Sequence, residues 1–146
     1  MPTAGRLTAA VFFAALAWAI TDIALAVMPS VYDRPLVPKF NAALAAFVAW
    51  SMFGKLDGTL RHGVVLALST AFLTAGMAAL CHASTMTFAA AKRGRTGSLI
   101  DTFEAVFSMM GDILYYFVQS YQAMLVLVLG ALAIGAVSAL MQRRFT

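Results

Sequence analysis

Apolar positions fall into four long runs, and polar positions gather in the short stretches between them. The first run, residues 7–28, follows Arg6, ends at Pro29 and is long enough to cross a hydrocarbon core of about 30 Å. The second, residues 37–53, lies near the lower limit for a span. Pro38 suits the first turn of its helix, and Ala42, Ala45, Ala46 and Ala49 suggest close packing. The third, residues 63–91, is longer than a bilayer requires, so its end is expected to tilt or project. The fourth, residues 123–141, leads to Arg143 and Arg144 and sets Ala131, Gly135 and Ala139 at a spacing of four, a helix-contact face.

Residues 98–120 read differently. Asp101, Glu104, Ser108, Asp112, Tyr115 and Gln119 recur at spacings of three and four, which puts them on one helical face. Leu99, Phe103, Val106, Met110, Ile113 and Phe117 lie along the opposite side. The apolar residues favour insertion by about 3–5 kcal/mol in total, and Asp112 alone opposes it by about 2.5–3.5 kcal/mol. The balance predicts an amphipathic helix that is interfacial or partly inserted. The pattern therefore predicts one all-α integral membrane domain over residues 1–146, with four transmembrane helices and an amphipathic helix before the last span.

Composition narrows the class further. The 146 residues are 62% hydrophobic and only 11% charged, against about 25% charged in soluble domains. The net charge of +4 comes from residues flanking the spans, so no nucleic-acid partner is expected. A single cysteine excludes an intrachain disulfide and a cysteine-built zinc or iron–sulfur site. With four spans, Arg6, Lys55, Arg61, Arg143 and Arg144 share one side, and Arg34, Lys39, Lys92, Arg93 and Arg95 share the other. That even division leaves the membrane orientation open under the positive-inside rule.

Several polar residues are candidates for chemistry. Asp22, well away from the centre of its run, reads as an acid that snorkels to the interface and meets Arg34 or Lys39; its functional alternative is a coupling carboxylate. The 101–119 stripe reads first as a water-facing surface and second as an acid-lined ion or proton path. Thr70, Thr74, Met77, Cys81 and Thr85 share one face, and their hydroxyls are expected to bond their own backbone or a neighbouring helix. Asn41 reads as a polar group satisfying a helix end. Cys81 and His82 are weak metal candidates, because adjacent helical side chains point about 100° apart and no second cysteine exists. No metal or cofactor is expected. Lys92, Arg93 and Arg95 form a basic docking cluster that would pair with Asp101 and Glu104 or touch anionic lipid. Enzyme activity is not expected: no His-rich metal motif or phosphate-binding glycine loop is present, and His62 and His82 stand far apart.

The opening MPTAGRLTAAVFFAALAW, the run FNAALAAFVAWSMFGKLDG and the junction KRGRTGSLIDTFEAVF resemble the TrgA family of small bacterial tellurium-resistance membrane proteins. The likeness is spread over most of the chain in the same order of segments. It implies a multi-pass protein of the bacterial inner membrane associated with tolerance of tellurite, an oxyanion toxic through thiol oxidation. It implies no reaction and brings no functional residue. The opening MPTAG before Arg6 also argues that the first run is kept as a span, against cleavage near Ala24 and Ala26.

Two functions follow. The first is lowering of cytoplasmic oxyanion by efflux or exclusion, through a homo-oligomer joined at its alanine and glycine faces. An anion path needs positive charge, however, and the stripe is acidic. The alternative is a non-transport accessory protein that docks a membrane partner protein or anionic lipid of the bilayer through the amphipathic helix and basic cluster.

Overall fold

Each apolar run folds as a helix, and local capping chemistry sets where the helices begin. The computed structural model describes residues 4–29, 35–94 and 97–145. Its α-helices are α1 (Ala4–Leu25), α2 (Val37–Met52), α3 (Leu60–Ala91), α4 (Leu99–Gln119) and α5 (Tyr121–Phe145), with a 3-10 turn at Phe53–Lys55 after α2. Pro38 sits in the first turn of α2, where its missing N–H breaks no intrahelical bond. Thr59 caps α3, its hydroxyl accepting from the His62 N–H at 3.3 Å. Ser98 and Asp101 close a capping box on α4: Ser98 Oγ accepts from the Asp101 N–H at 3.2 Å, and Asp101 Oδ2 accepts from the Ser98 N–H at 2.8 Å.

The expectation of four spans is corrected to three. Among the described residues α1, α3 and α5 are long and apolar enough to cross a membrane. The 16 residues of α2 reach only about 24 Å, short of a hydrocarbon core about 30 Å thick. The chain is thus a membrane-embedded, multi-pass helical protein in which α2 is a short member of the bundle.

Paired contacts give the directions. Gly5 lies against Ser138 and Gln142 while Gly130 lies against Leu16, so α1 and α5 are antiparallel. Gly63 meets Gly135 and Ala139, and Gly135 meets Ala67, so α3 and α5 are antiparallel as well. Arg6 Nε donates to Trp50 O at 2.6 Å at one end of α1, and Asn41 reaches Thr21 near the other, which sets α2 antiparallel to α1. Arg143 Nε donates to Gly58 O at 2.6 Å. Arg6, Lys55 and Arg143 therefore share one end of the bundle, and α1 begins where α5 finishes.

The amphipathic helix is not a separate crossing. It folds back along the C-terminal half of α3, with Thr87 beside Met109, while α5 covers the N-terminal half. Both α4 and α5 thus run antiparallel to α3, end to end in one direction. Ser120 makes the break between them, with φ −76° and ψ 85°. Its hydroxyl accepts from the Ala123 N–H at 3.4 Å and caps α5. At 32 residues α3 is about 48 Å long, long enough to back both partners.

Packing is inverted relative to a water-soluble bundle. Ala9, Ala45, Ala49, Ala67, Ala83, Ala123, Ala131 and Ala139 are buried at the helix contacts. Phe12, Phe47, Val65, Phe72, Leu129 and Leu140 point outward. Lipid tails are as apolar as leucine, so large side chains gain nothing by moving inside, whereas small ones let backbones approach. The Ala131, Gly135 and Ala139 face is occupied by α3 within the chain. An oligomer would have to use another surface.

Candidate functional site

A polar chain links three helices at the end of the bundle opposite Arg6. The Thr21 hydroxyl donates to Ala17 O at 2.6 Å, which leaves its oxygen to accept. Asn41 Nδ2 donates to that oxygen at 3.0 Å. The amide carbonyl of Asn41 then faces α3, where His82 Nε2–H donates to Asn41 Oδ1 at 2.9 Å. One donor assignment thus dictates the next, and the His82 ring must carry a hydrogen on Nε2. The edge of the Phe40–His82 ring pair, with centroids 5.4 Å apart, fixes the imidazole further.

This chain borders a partly open cavity of about 130 Å³ to which all five helices contribute. Phe13, Ile20, Leu114, Phe117 and Leu127 supply much of its apolar wall, and Leu114, Phe117 and Leu127 flank the break at Ser120. No Asp, Glu, Lys or Arg among the described residues lines it. Thr74 does. Its side chain is 7% exposed, and its hydroxyl has no hydrogen-bond partner among the described residues. The Thr70 hydroxyl is in the same condition. The expectation that these hydroxyls bond their own backbone or a neighbour is corrected for Thr70 and Thr74; it holds for Thr85, whose hydroxyl donates to His82 O at 2.9 Å.

The acidic stripe lies elsewhere. Asp101, Glu104, Ser108, Asp112, Tyr115 and Gln119 are all exposed on the outward side of α4, while Ile113, Leu114 and Phe117 face the cavity. Ile100, Phe103 and Phe107 are exposed as well, giving α4 a second, apolar outward surface. Asp101 is committed to the capping box. Lys92 and Arg93 are exposed at the foot of the α3–α4 hairpin; neither forms an ion pair with Asp101 or Glu104 among the described residues, and Arg95 lies outside them. Asp22 is exposed in a shallow groove with Trp18 and Ala42, with no ion pair to Lys39 among the described residues. Its other expected partner, Arg34, lies outside the described residues.

Cys81 is half-buried, and His82 is turned to Asn41. Among the described residues no three His, Cys, Asp or Glu side chains converge as a metal site would require. In the loop before α3, Asp57 lies 3.1 Å from His62 Nδ1. The Thr59 N–H, then the Thr59 hydroxyl and His62, hold the Asp57 carboxyl below its ordinary range.

The sequence reading missed the Thr21–Asn41–His82 chain, treating Asn41 as a helix-end group and His82 as half of a weak pair. A signal was available. In successive antiparallel helices the end of the first, the start of the second and the end of the third share one level, where these three polar residues stand. No protein-family model, curated protein or solved structure matches the chain.

Proposed function

We propose that this chain is an accessory membrane protein of tellurite tolerance in the bacterial inner membrane, acting by docking a partner protein and not by carrying the oxyanion. The observation that supports docking is the placement of charge: the acids of α4 face outward, and no Lys or Arg among the described residues lines the cavity to receive an anion. The tellurite context rests on the resemblance of the three segments quoted above. The outward surface of α4 supplies what a docking face needs, exposed aromatic residues at Phe103 and Phe107 beside the charges of Glu104 and Asp112. Lys92 and Arg93 stand at the end of α4 remote from the Ser120 break and add positive charge for a partner protein to meet. Tyr115, Tyr116 and Tyr121 gather at the Ser120 break, as aromatics do at a bilayer surface. From Tyr121 to Arg143 the helix rises about 33 Å, close to the hydrocarbon thickness, so α4 extends beyond it toward partners.

The test is cell-associated tellurium and survival after brief tellurite exposure, with and without the chain. The accessory reading expects higher survival at unchanged tellurium. It also expects Lys92→Glu with Arg93→Glu to abolish tolerance and Asp112→Asn to preserve it, at equal membrane protein. Less tellurium inside, with loss of tolerance in Asp112→Asn, would instead establish efflux. Unchanged survival would remove the tellurite context.

A further inference from the structure

The cavity is the least explained feature of the bundle. A cavity of about 150 Å³ lined by Leu, Ile and Phe stays dry and takes up benzene. The cavity here, about 130 Å³, is of ring size and walled by the same residue types at Phe13, Ile20 and Phe117. It differs in having a polar side. Thr74 is more than nine-tenths buried, lines the wall and leaves its hydroxyl without a partner. An unmet buried hydroxyl costs about 1–3 kcal/mol, and nothing in its surroundings offsets that. Asn41 also lines the cavity, and its Nδ2 has a second hydrogen beyond the one given to Thr21. The Thr74 hydroxyl can donate or accept, so an oxygen on the ligand is the atom that meets it. No carboxylate, ammonium or guanidinium among the described residues lines it, which suits a neutral ligand better than an ion.

We infer that this cavity is a binding site for a lipid-soluble, six-membered-ring molecule bearing an oxygen, a phenol or a quinone, whose ring fills the apolar space and whose oxygen hydrogen-bonds the Thr74 hydroxyl. The wall includes residues on both sides of the Ser120 break, the level at which Tyr115 and Tyr121 stand. An amphiphilic ring concentrates at that depth of a bilayer. The hydrogen bonds from Thr21 through Asn41 to His82 hold the amide in one orientation, so the site is preorganised.

The experiment uses the full chain in lipid nanodiscs, with phenol as probe and benzene as its oxygen-free counterpart at matched membrane concentration. Phenol raises the thermal midpoint saturably and binds about tenfold tighter than benzene, the worth of one buried hydrogen bond. Thr74→Val binds the two equally. Ala78→Phe, which puts a ring into the cavity from its own wall, responds to neither, and so separates site binding from general effects on the bilayer. A second readout needs no variant: the fluorine signal of 4-fluorophenol broadens with the protein and sharpens when unlabelled phenol competes. An unchanged midpoint with no competable broadening overturns the inference. So does an equal response to phenol in wild type and Ala78→Phe, or equal affinity for phenol and benzene in wild type.

Discussion

Replacing Gly63 by alanine tests the closest helix contact in the bundle. A Cβ at residue 63 would stand 2.5 Å from Gly135 O and 3.0 Å from Ala139 Cβ, and the carbonyl is backbone that cannot swing aside. Restoring an ordinary contact of about 3.4 Å requires α3 and α5 to part by roughly 0.9 Å. A gap of that size forfeits a quarter to a half of each contact of about 0.1–0.2 kcal/mol; over about 30 atom pairs along the crossing the loss is about 1–3 kcal/mol. Alanine also gains about 0.5–1 kcal/mol over glycine in a helix. Gly76 provides the control, because it lies in the same helix and an added Cβ there meets nothing within 4 Å. The propensity gain is common to both and cancels, so Gly63→Ala should be less stable than Gly76→Ala by about 1–3 kcal/mol. The assay is unfolding by SDS titration from mild detergent, followed by circular dichroism. The double variant Gly63→Ala with Gly135→Ala should cost less than the sum of its parts, since the helices need part only once. Equal stability of Gly63→Ala and Gly76→Ala would refute the contact.

Two further predictions concern the helix ends. Ser98→Ala removes half of the capping box and should destabilise the first turn of α4 by about 1 kcal/mol, seen as faster amide exchange there with α5 unaffected; unchanged exchange would refute the cap. At Asp57 the folded-state pKa is depressed, so the carboxylate favours folding fully above the unfolded carboxyl range, and that contribution fades as pH falls through the folded value. Asp57→Asn should therefore differ from wild type at neutral pH and converge with it in acid, as read by unfolding midpoints across pH; a constant difference would refute the assignment.

The sequence made the helices legible because three- and four-residue spacing reports directly on helical faces. Ser98 and Asp101 mark the start of α4, and the outward acids match the predicted stripe. What the spacing did not carry was distance between helices. Asn41 shows this best: its hydrogen bonds to Thr21 and His82 bridge sequence separations of 20 and 41 residues. The contact face at Ala131, Gly135 and Ala139 was legible, but its partner was not, since a small-residue stripe looks the same facing α3 or a second copy. Direction was hidden too. The Ser120 break reads in sequence as one more polar residue, yet it decides that α4 and α5 continue one another.

The shortness of α2 has a consequence for the surrounding lipid. Leu36, Phe40 and Phe47 are exposed on or beside a helix about 24 Å long, while α5 presents an apolar stretch about 9 Å taller. Acyl chains around one molecule must therefore meet walls of unequal height. Beside α2 the bilayer must thin, or Lys39 must extend its stem to bring its ammonium to the headgroups, and either response costs fractions of a kcal/mol per ångström of mismatch. The protein thereby carries a lopsided elastic footprint. A neighbour with a similarly short flank would share that deformed patch instead of making a second one, giving α2 a lipid-mediated pull toward such neighbours with no direct contact between them.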